Sequence, residues 1–166
     1  MKSGNIIRKA LESDIISILE IYNQGIEDRI ATLEEGTKDY VYIKEWFERH
    51  QGRFKVVVAE QDGSVAGWAS LNPYSNRAAY DGVADLSIYI SRDHRGKGLG
   101  KQLLAEIESI AAANGFHKIV LFTFPFNRLG QGLYRKMGYR EVGVFQNQGK
   151  LDGEFVDVMA MEKLLG

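Results

Sequence analysis

These 166 residues predict one α/β domain, a sandwich built on a mixed sheet, and three observations carry that reading. Apolar runs of strand length alternate with stretches of helical periodicity along the whole chain. An Asp-Gly pair at 62–63 marks a hairpin between two β-rich runs. A glycine-spaced turn at 96–100 joins a strand to a long amphipathic helix, and a helical crossover of that length returns a parallel strand. With 45% hydrophobic content the length suits a single core, and with only two prolines no linker or repeat stands out.

Residues 5–9 form a short first strand. Ser13 or Asp14 can cap a helix whose Ile15, Ile18, Leu19, Tyr22 and Ile26 recur at helical spacing. Periodicity lapses over 27–36, a polar break that can be a cleft wall or a plain surface loop. Tyr40, Ile43, Trp46 and Phe47 then mark a second helix ending near His50. Strands at 54–60 and 65–71 flank the hairpin turn, and a polar loop over 72–82 carries Arg77 and Tyr80. In the strand at 83–91, Val83, Asp85, Ser87 and Tyr89 share one face, while the opposite face is fully apolar. Leu99, Leu103, Leu104, Ile107, Ile110 and Ala111 stripe the long helix, which Gly115 stops. A strand at 118–124 precedes Pro125. A helix with Leu129, Leu133, Tyr134 and Met137 ends at Gly138, and strands at 139–146 and 155–162 flank a polar, Gly-rich loop.

The turn itself predicts chemistry. Gly96, Gly98 and Gly100 let the backbone wrap closely around a ligand, and the helix that follows offers unpaired N–H groups and the positive end of its dipole. That combination suits a pyrophosphate, with Arg92, Arg95, Lys97 and Lys101 as mobile cations around it. A Walker A loop needs Ser or Thr after its Gly-Lys, and Lys101 is followed by Gln102. A dinucleotide fingerprint needs a glycine where Lys101 stands. What survives is Arg95-x-x-Gly98-x-Gly100.

Composition excludes several classes. A net charge of −1 gives no basic field for nucleic acid. The chain has no cysteine, and His50, His94 and His117 lack ligand spacing, so no metal is expected. No apolar run approaches the roughly 20 residues that span a bilayer, and residues 1–5 open into Ile6-Ile7 and charge, unlike a secretory signal. A cytoplasmic protein acting on small molecules is the expectation.

The Arg95-x-x-Gly98-x-Gly100 pattern between strand and helix resembles the acetyl-CoA loop of the GCN5-related N-acetyltransferases (GNAT), and the order of elements is similar over nearly the full chain. The resemblance implies a three-layer α/β/α sandwich on a mostly antiparallel sheet with one splayed parallel strand pair, the cofactor arm lying in the splay. It implies that backbone groups of Ile88, Tyr89 and Ile90 bond the pantetheine. Gly96, Lys97, Gly98, Leu99, Gly100 and Lys101, with Arg95, would hold the pyrophosphate, while Asn127 and Tyr134 touch the arm and the sulfur. A closer resemblance is to the phosphinothricin-type acetyltransferases, including those for methionine sulfoximine and arsinothricin. It is carried by Ile21-Tyr22-Asn23, Arg77-Ala78-Ala79-Tyr80-Asp81, Ser87-Ile88-Tyr89-Ile90, the glycine loop, Asn127 and Met137-Gly138-Tyr139. It implies antibiotic resistance and a homodimer. The chain departs from that pattern at three points: Asp85 replaces the usual Glu, Val156 stands for a common His, and Ser75 for a basic residue.

Acetyl transfer to an amine requires a neutral amine and a leaving thiolate that is met by a donor. Asp85 is the candidate base, through a water because its side chain is short; the alternative is a structural pair with Arg77 or another cation. Tyr134 is the candidate donor to sulfur, or else a core tyrosine with a satisfied hydroxyl. Arg77 can clamp a carboxylate or phosphinate bidentately, or be a solvated loop arginine, and Tyr80 shares its segment. Two rival functions stand beside this one: acetylation of a peptide N-terminus or other amine, and an acetyl-CoA-binding sensor without turnover.

Overall fold

The computed structural model describes residues 4–166. Met1, Lys2 and Ser3, part of the stretch expected to lack a secretory signal, lie outside the described residues. Strands β1 (Ile6–Lys9), β2 (Val56–Gln61), β3 (Ser64–Pro73), β4 (Val83–Ile90), β5 (Lys118–Thr123), β6 (Arg140–Leu151) and β7 (Glu154–Leu164) form one sheet in the order β1-β2-β3-β4-β5-β7-β6. Every neighbouring pair is antiparallel except β4 and β5. Helices α1 (Ile15–Glu27) and α2 (Tyr40–Glu48) cover one face, and α3 (Leu99–Ala113) and α4 (Arg128–Lys136) the other.

Alternation along the strands divides the core. Val56, Val58 and Trp68 pack with Ile15, Ile18, Ile43 and Phe47 beneath α1 and α2. Val57, Ala59, Ala69, Leu71, Ala84 and Leu86 pack with Leu103, Leu104 and Ile107 beneath α3. Both faces of the central strands are therefore apolar, apart from the polar positions at the end of β3 and along β4. The Asp62-Gly63 turn takes positive φ at both residues (53° and 80°), as a two-residue hairpin demands. Gly115 and Gly138 end α3 and α4 at φ 86° and 94°.

Several expectations change. The Asp14 carboxylate does not cap α1; it turns back to the Leu11 amide (2.7 Å) and to Arg8 (2.7 and 2.9 Å), tying β1 to the helix start. The loop expected after residue 146 is mostly strand: β6 runs to Leu151, with irregular pairing between Phe145 and Gly149, and turns at Asp152-Gly153 with φ of 53° and 81°. Leu129, expected in the buried stripe of α4, is 67% exposed. Among the described residues, no helix is long and apolar enough to cross a membrane.

Candidate active site

The parallel pair β4/β5 is joined over only three residues, Val83 to Lys118, Ala84 to Ile119 and Asp85 to Val120. Both strands continue beyond that point, β4 to Ile90 and β5 to Thr123, so a gap opens between them. The Ser91 amide bonds the Ala66 carbonyl on the β3 side (2.8 Å). By alternation Tyr89, Ser87 and Asp85 also turn their peptide groups to β3, while Ile88 and Ile90 turn theirs to the gap. Of the three backbones expected to meet a cofactor arm, two are thus open, and Tyr89 is committed to the sheet. The Ile90 carbonyl already accepts from Arg95 Nε at 3.3 Å.

The gap widens into a cleft of about 630 Å³ lined by Ile88, Tyr89, Ile90, Arg95, Gly96, Gly98, Leu99, Gly100, Lys101, Asn127 and Tyr134. Gly96 and Gly98 have φ of 74° and 86°, and Gly98 opens α3 without a side-chain cap. No turn or capping bond uses the amides of Gly96, Lys97 or Gly98 among the described residues, and those of Leu99, Gly100 and Lys101 precede the first i→i−4 bond of the helix. Gly100 is needed for another reason: a Cβ there would stand 2.6 Å from Leu133 Cδ2 on α4.

The cations are less free than expected. Arg92 and Arg95 both bond Asp28 at the end of α1 (2.7–2.9 Å), and Arg92 also reaches Glu27. Those arginines, Arg92 first, hold the Asp28 carboxyl below its usual range. Lys97 Nζ turns to the Asp93 carbonyl (3.1 Å), away from the cleft lining, whereas Lys101 lines it. Asn127 caps α4, its Oδ1 accepting from the Gly130 amide at 3.0 Å while its Nδ2 donates to Thr123 Oγ1. The polar break forms cleft wall through Ile30, Ala31 and Thr32.

Tyr134 is 9% exposed on the cleft floor, its hydroxyl without a hydrogen-bond partner among the described residues. Burial pushes its pKa up to about 12, so it stays protonated and able to donate. Asp85 lines this cleft and also a second cavity of about 560 Å³ formed with Pro73, Tyr74, Ser75, Tyr80 and Phe122. Burial pushes the Asp85 pKa up to about 6, against the opposing pull of a bond from Asn72 Nδ2 (3.2 Å). No salt bridge joins Asp85 to Arg77 or to another cation among the described residues; its side-chain partner is Asn72. Arg77 is exposed and lines neither cavity; its amide donates to Ser75 Oγ (3.2 Å). Tyr80 lines the second cavity, edge-on to Tyr74 at 5.8 Å.

Sequence reasoning missed Asn72, Ser87 and Phe122. The antiparallel register that sets Asn72 opposite Asp85 follows from strand pairing and from no local pattern. Phe122 lines both cavities from a strand whose other residues read as core.

The chain matches the Acetyltransferase (GNAT) family over residues 17–139. It is 32% identical to the L-methionine sulfoximine/L-methionine sulfone acetyltransferase of Pseudomonas aeruginosa, covering 94% of this chain and 92% of that protein. The GNAT superfamily phosphinothricin acetyltransferase of Sinorhizobium meliloti, solved in complex with acetyl-CoA, superposes with a TM-score of 0.92 at 31% identity, over 98% of this chain and 89% of that one. The ribosomal-protein-alanine N-acetyltransferase of Brucella melitensis superposes at 0.93 and 31% identity, over 96% and 99%. A splayed parallel pair, a glycine turn with free amides and near-complete matches in sequence and fold all agree: this chain belongs to the acetyltransferase (GNAT) family.

Proposed function

We propose that this protein is an acetyl-CoA-dependent N-acetyltransferase acting on the α-amine of a small amino-acid analogue of the phosphinothricin, arsinothricin or methionine sulfoximine type. The observation that carries the reading is the position of Asp85, on the wall shared by the β4/β5 cleft and the second cavity. An amine held in the second cavity and a thioester held in the cleft meet at that carboxylate.

Acetyl-CoA, when bound, supplies the acetyl thioester. The residues fit such a ligand: free amides at 96–101 suit a diphosphate, and the open peptide groups of Ile88 with the Ile90 amide suit an extended amide-bearing arm, which pairs as an added strand would. Asp85 takes the proton of the amine, the amine nitrogen bonds the acetyl carbon as the carbon–sulfur bond breaks, and the Tyr134 hydroxyl donates to the departing sulfur. Holding the two reactants in line contributes roughly 7–11 kcal/mol, more than the roughly 3–5 kcal/mol of one general base.

Capping the amine of a toxic analogue confers resistance to it, and the site of action is the cytoplasm. Two chains pair, a reading supported by the exposed Val142, Val144 and Phe145 on the outermost strand β6.

A second reading, acetylation of a peptide N-terminus, is favoured by the similarity to the alanine acetyltransferase and by Arg77 standing outside the second cavity. Thiol release with phosphinothricin, arsinothricin, methionine sulfoximine and an alanyl peptide separates the two. Preference for the analogues, weakened in Arg77→Ala, supports the first reading; preference for the peptide overturns it. Preference for the analogues that survives Arg77→Ala removes the clamp alone. Cofactor binding with no thiol release from any amine would leave a sensor.

A further inference from the structure

A chain of polar groups runs from Asp85 away from both cavities to the end of α2, half-buried at Asp85, Ser87 and Asn72 and buried at Ser70 and His50. His50, 7% exposed, sets Nδ1 2.7 Å from the Trp46 carbonyl and Nε2 2.9 Å from Asn72 Oδ1. Ser70 Oγ, fully buried, donates to the same Asn72 oxygen at 3.0 Å. Asn72 Nδ2 then donates to Asp85 Oδ2 (3.2 Å) and to Ser87 Oγ (2.9 Å).

The donor inventory restricts the protonation of this chain. A peptide carbonyl and an amide oxygen only accept, so in this arrangement both nitrogens of His50 must donate, which imidazole does only as the cation. A half-turn of the Asn72 amide gives a second set, at the cost of the bond that Ser70 Oγ donates. Nδ2 then donates to a neutral His50 Nε2 and to Ser70 Oγ, and Oδ1 accepts from Ser87 and from a protonated Asp85. The two sets hold the same number of protons: imidazolium with carboxylate, or imidazole with carboxylic acid. With His50 neutral and Asp85 ionised, one orientation opposes Nε2 to Oδ1 and the other opposes Oδ1 to the carboxylate. Two acceptors held face to face with no proton between them are costly, so that state is disfavoured.

We propose that His50 is a positioning residue that shares one proton with Asp85 through the Asn72 amide, and so sets the charge of the carboxylate between the two cavities. The titratable groups that share a cavity with Asp85 are Tyr89, Tyr134, His94, Arg95, Lys101, Arg128 and Lys136 in the cleft, and Tyr74 and Tyr80 in the second cavity. On the His50 side, the Trp46 ring lies at 4.4 Å, Glu48 and Arg49 are exposed, and Lys55 Nζ bonds the Gln51 carbonyl. None of these interrupts the chain.

The inference rests on the proposed function only for its kinetic consequence, because the shared proton is measured without turnover. Nitrogen-15 spectra of the His50 ring are followed against pH in the wild type and in Asp85→Asn. Removing the carboxylate moves the His50 ring toward its neutral form at a given pH. Superimposable titrations overturn the inference. In steady-state assays His50→Gln moves the acidic limb of kcat to higher pH, because the cation that favours ionised Asp85 is gone, and leaves the KM for acetyl-CoA unchanged. A uniform fall in kcat with no movement of the limb assigns His50 a structural role only and overturns the inference. Full activity in Asp85→Asn with a shifted His50 midpoint removes the base from the proposed function and supports the shared proton.

Discussion

Arg95 reaches back from the glycine turn to Asp28 at the end of α1, its Nη1 2.7 Å from Asp28 Oδ2, while Arg92 holds both oxygens of the same carboxylate. The Arg92 amide also donates to Gln24 Oε1 at 2.7 Å. The anion turn is therefore moored to a helix on the opposite face of the sheet. Asp28→Ala frees two arginines and loosens the turn. Because the group is about a quarter exposed, the stability loss is about 1 kcal/mol or less. The expected effect on ligand binding is larger in consequence: loss of about 1 kcal/mol of preorganisation weakens CoA about fivefold by calorimetry, with kcat at saturation unchanged. An affinity gain would mean instead that Asp28 competes with the diphosphate for the two arginines.

Asp85 gives a pH dependence whose sign follows from burial. Its pKa is raised from 3.8 to about 6 in the folded protein, so the folded state holds the proton more tightly than the unfolded one. Below the unfolded value both states are protonated and the residue is neutral toward stability. As pH rises from about 3.8 through 6, stability is lost, to a limit of about 3 kcal/mol at roughly 1.4 kcal/mol per unit. Asp85→Asn removes that loss. Denaturant unfolding should find the variant more stable than the wild type at pH 8, and the difference gone at pH 4. Thiol release by the same variant should fall by about 100-fold or more, the contribution of a general base.

Where the reading depended on local pattern, it was legible in the sequence. The glycine turn, the α3 stripe and the Asp62-Gly63 hairpin each declare themselves within a few residues, since positive φ and helical period are local demands. The second such hairpin, Asp152-Gly153, was hidden by the glycines and polar residues of β6, which read as loop until the partner strand is known. The candidate site was legible only in part, because Asn72 and His50 meet Asp85 through strand register and a helix end 22 residues apart. Arg92 and Arg95 were read as mobile because nothing local signals that α1 ends beside them. Arg77 reads equally as a clamp or a solvated loop arginine because its segment enters β4 with no local sign of where the side chain goes; it is exposed and lines neither cavity.

Tyr134 has no hydrogen-bond partner to lose. Replacing it with Phe removes a hydroxyl that faces the cleft and makes no hydrogen bond among the described residues, so thermal stability should hold. The packing partner Tyr139, edge-on at 5.9 Å, is retained. If the hydroxyl serves the departing sulfur, kcat falls by about 100-fold while the KM for acetyl-CoA changes little. A fall in stability without a fall in kcat would assign Tyr134 to the core.

Gly98 and Gly100 fail for different reasons, and two substitutions separate them. Gly98→Ala meets no atom within 4 Å but must adopt φ of +86°, a left-handed conformation costing an L residue about 1–2 kcal/mol. That strain is local to the turn, so CoA affinity should fall even where melting moves little. Gly100→Ala has an ordinary helical backbone, and its new Cβ stands 2.6 Å from Leu133 Cδ2, overpacking the contact between α3 and α4 at a cost of about 1–3 kcal/mol. Leu133 is only partly buried and can give way, so the double variant Gly100→Ala/Leu133→Ala should recover most of the melting loss. No second substitution at Leu133 should rescue Gly98→Ala, because its cost lies in the backbone. Calorimetric CoA binding and thermal melts on the two single variants and on each combined with Leu133→Ala distinguish strain from collision; recovery of Gly98→Ala by Leu133→Ala would place both glycines in one packing contact and remove the left-handed turn as the cause.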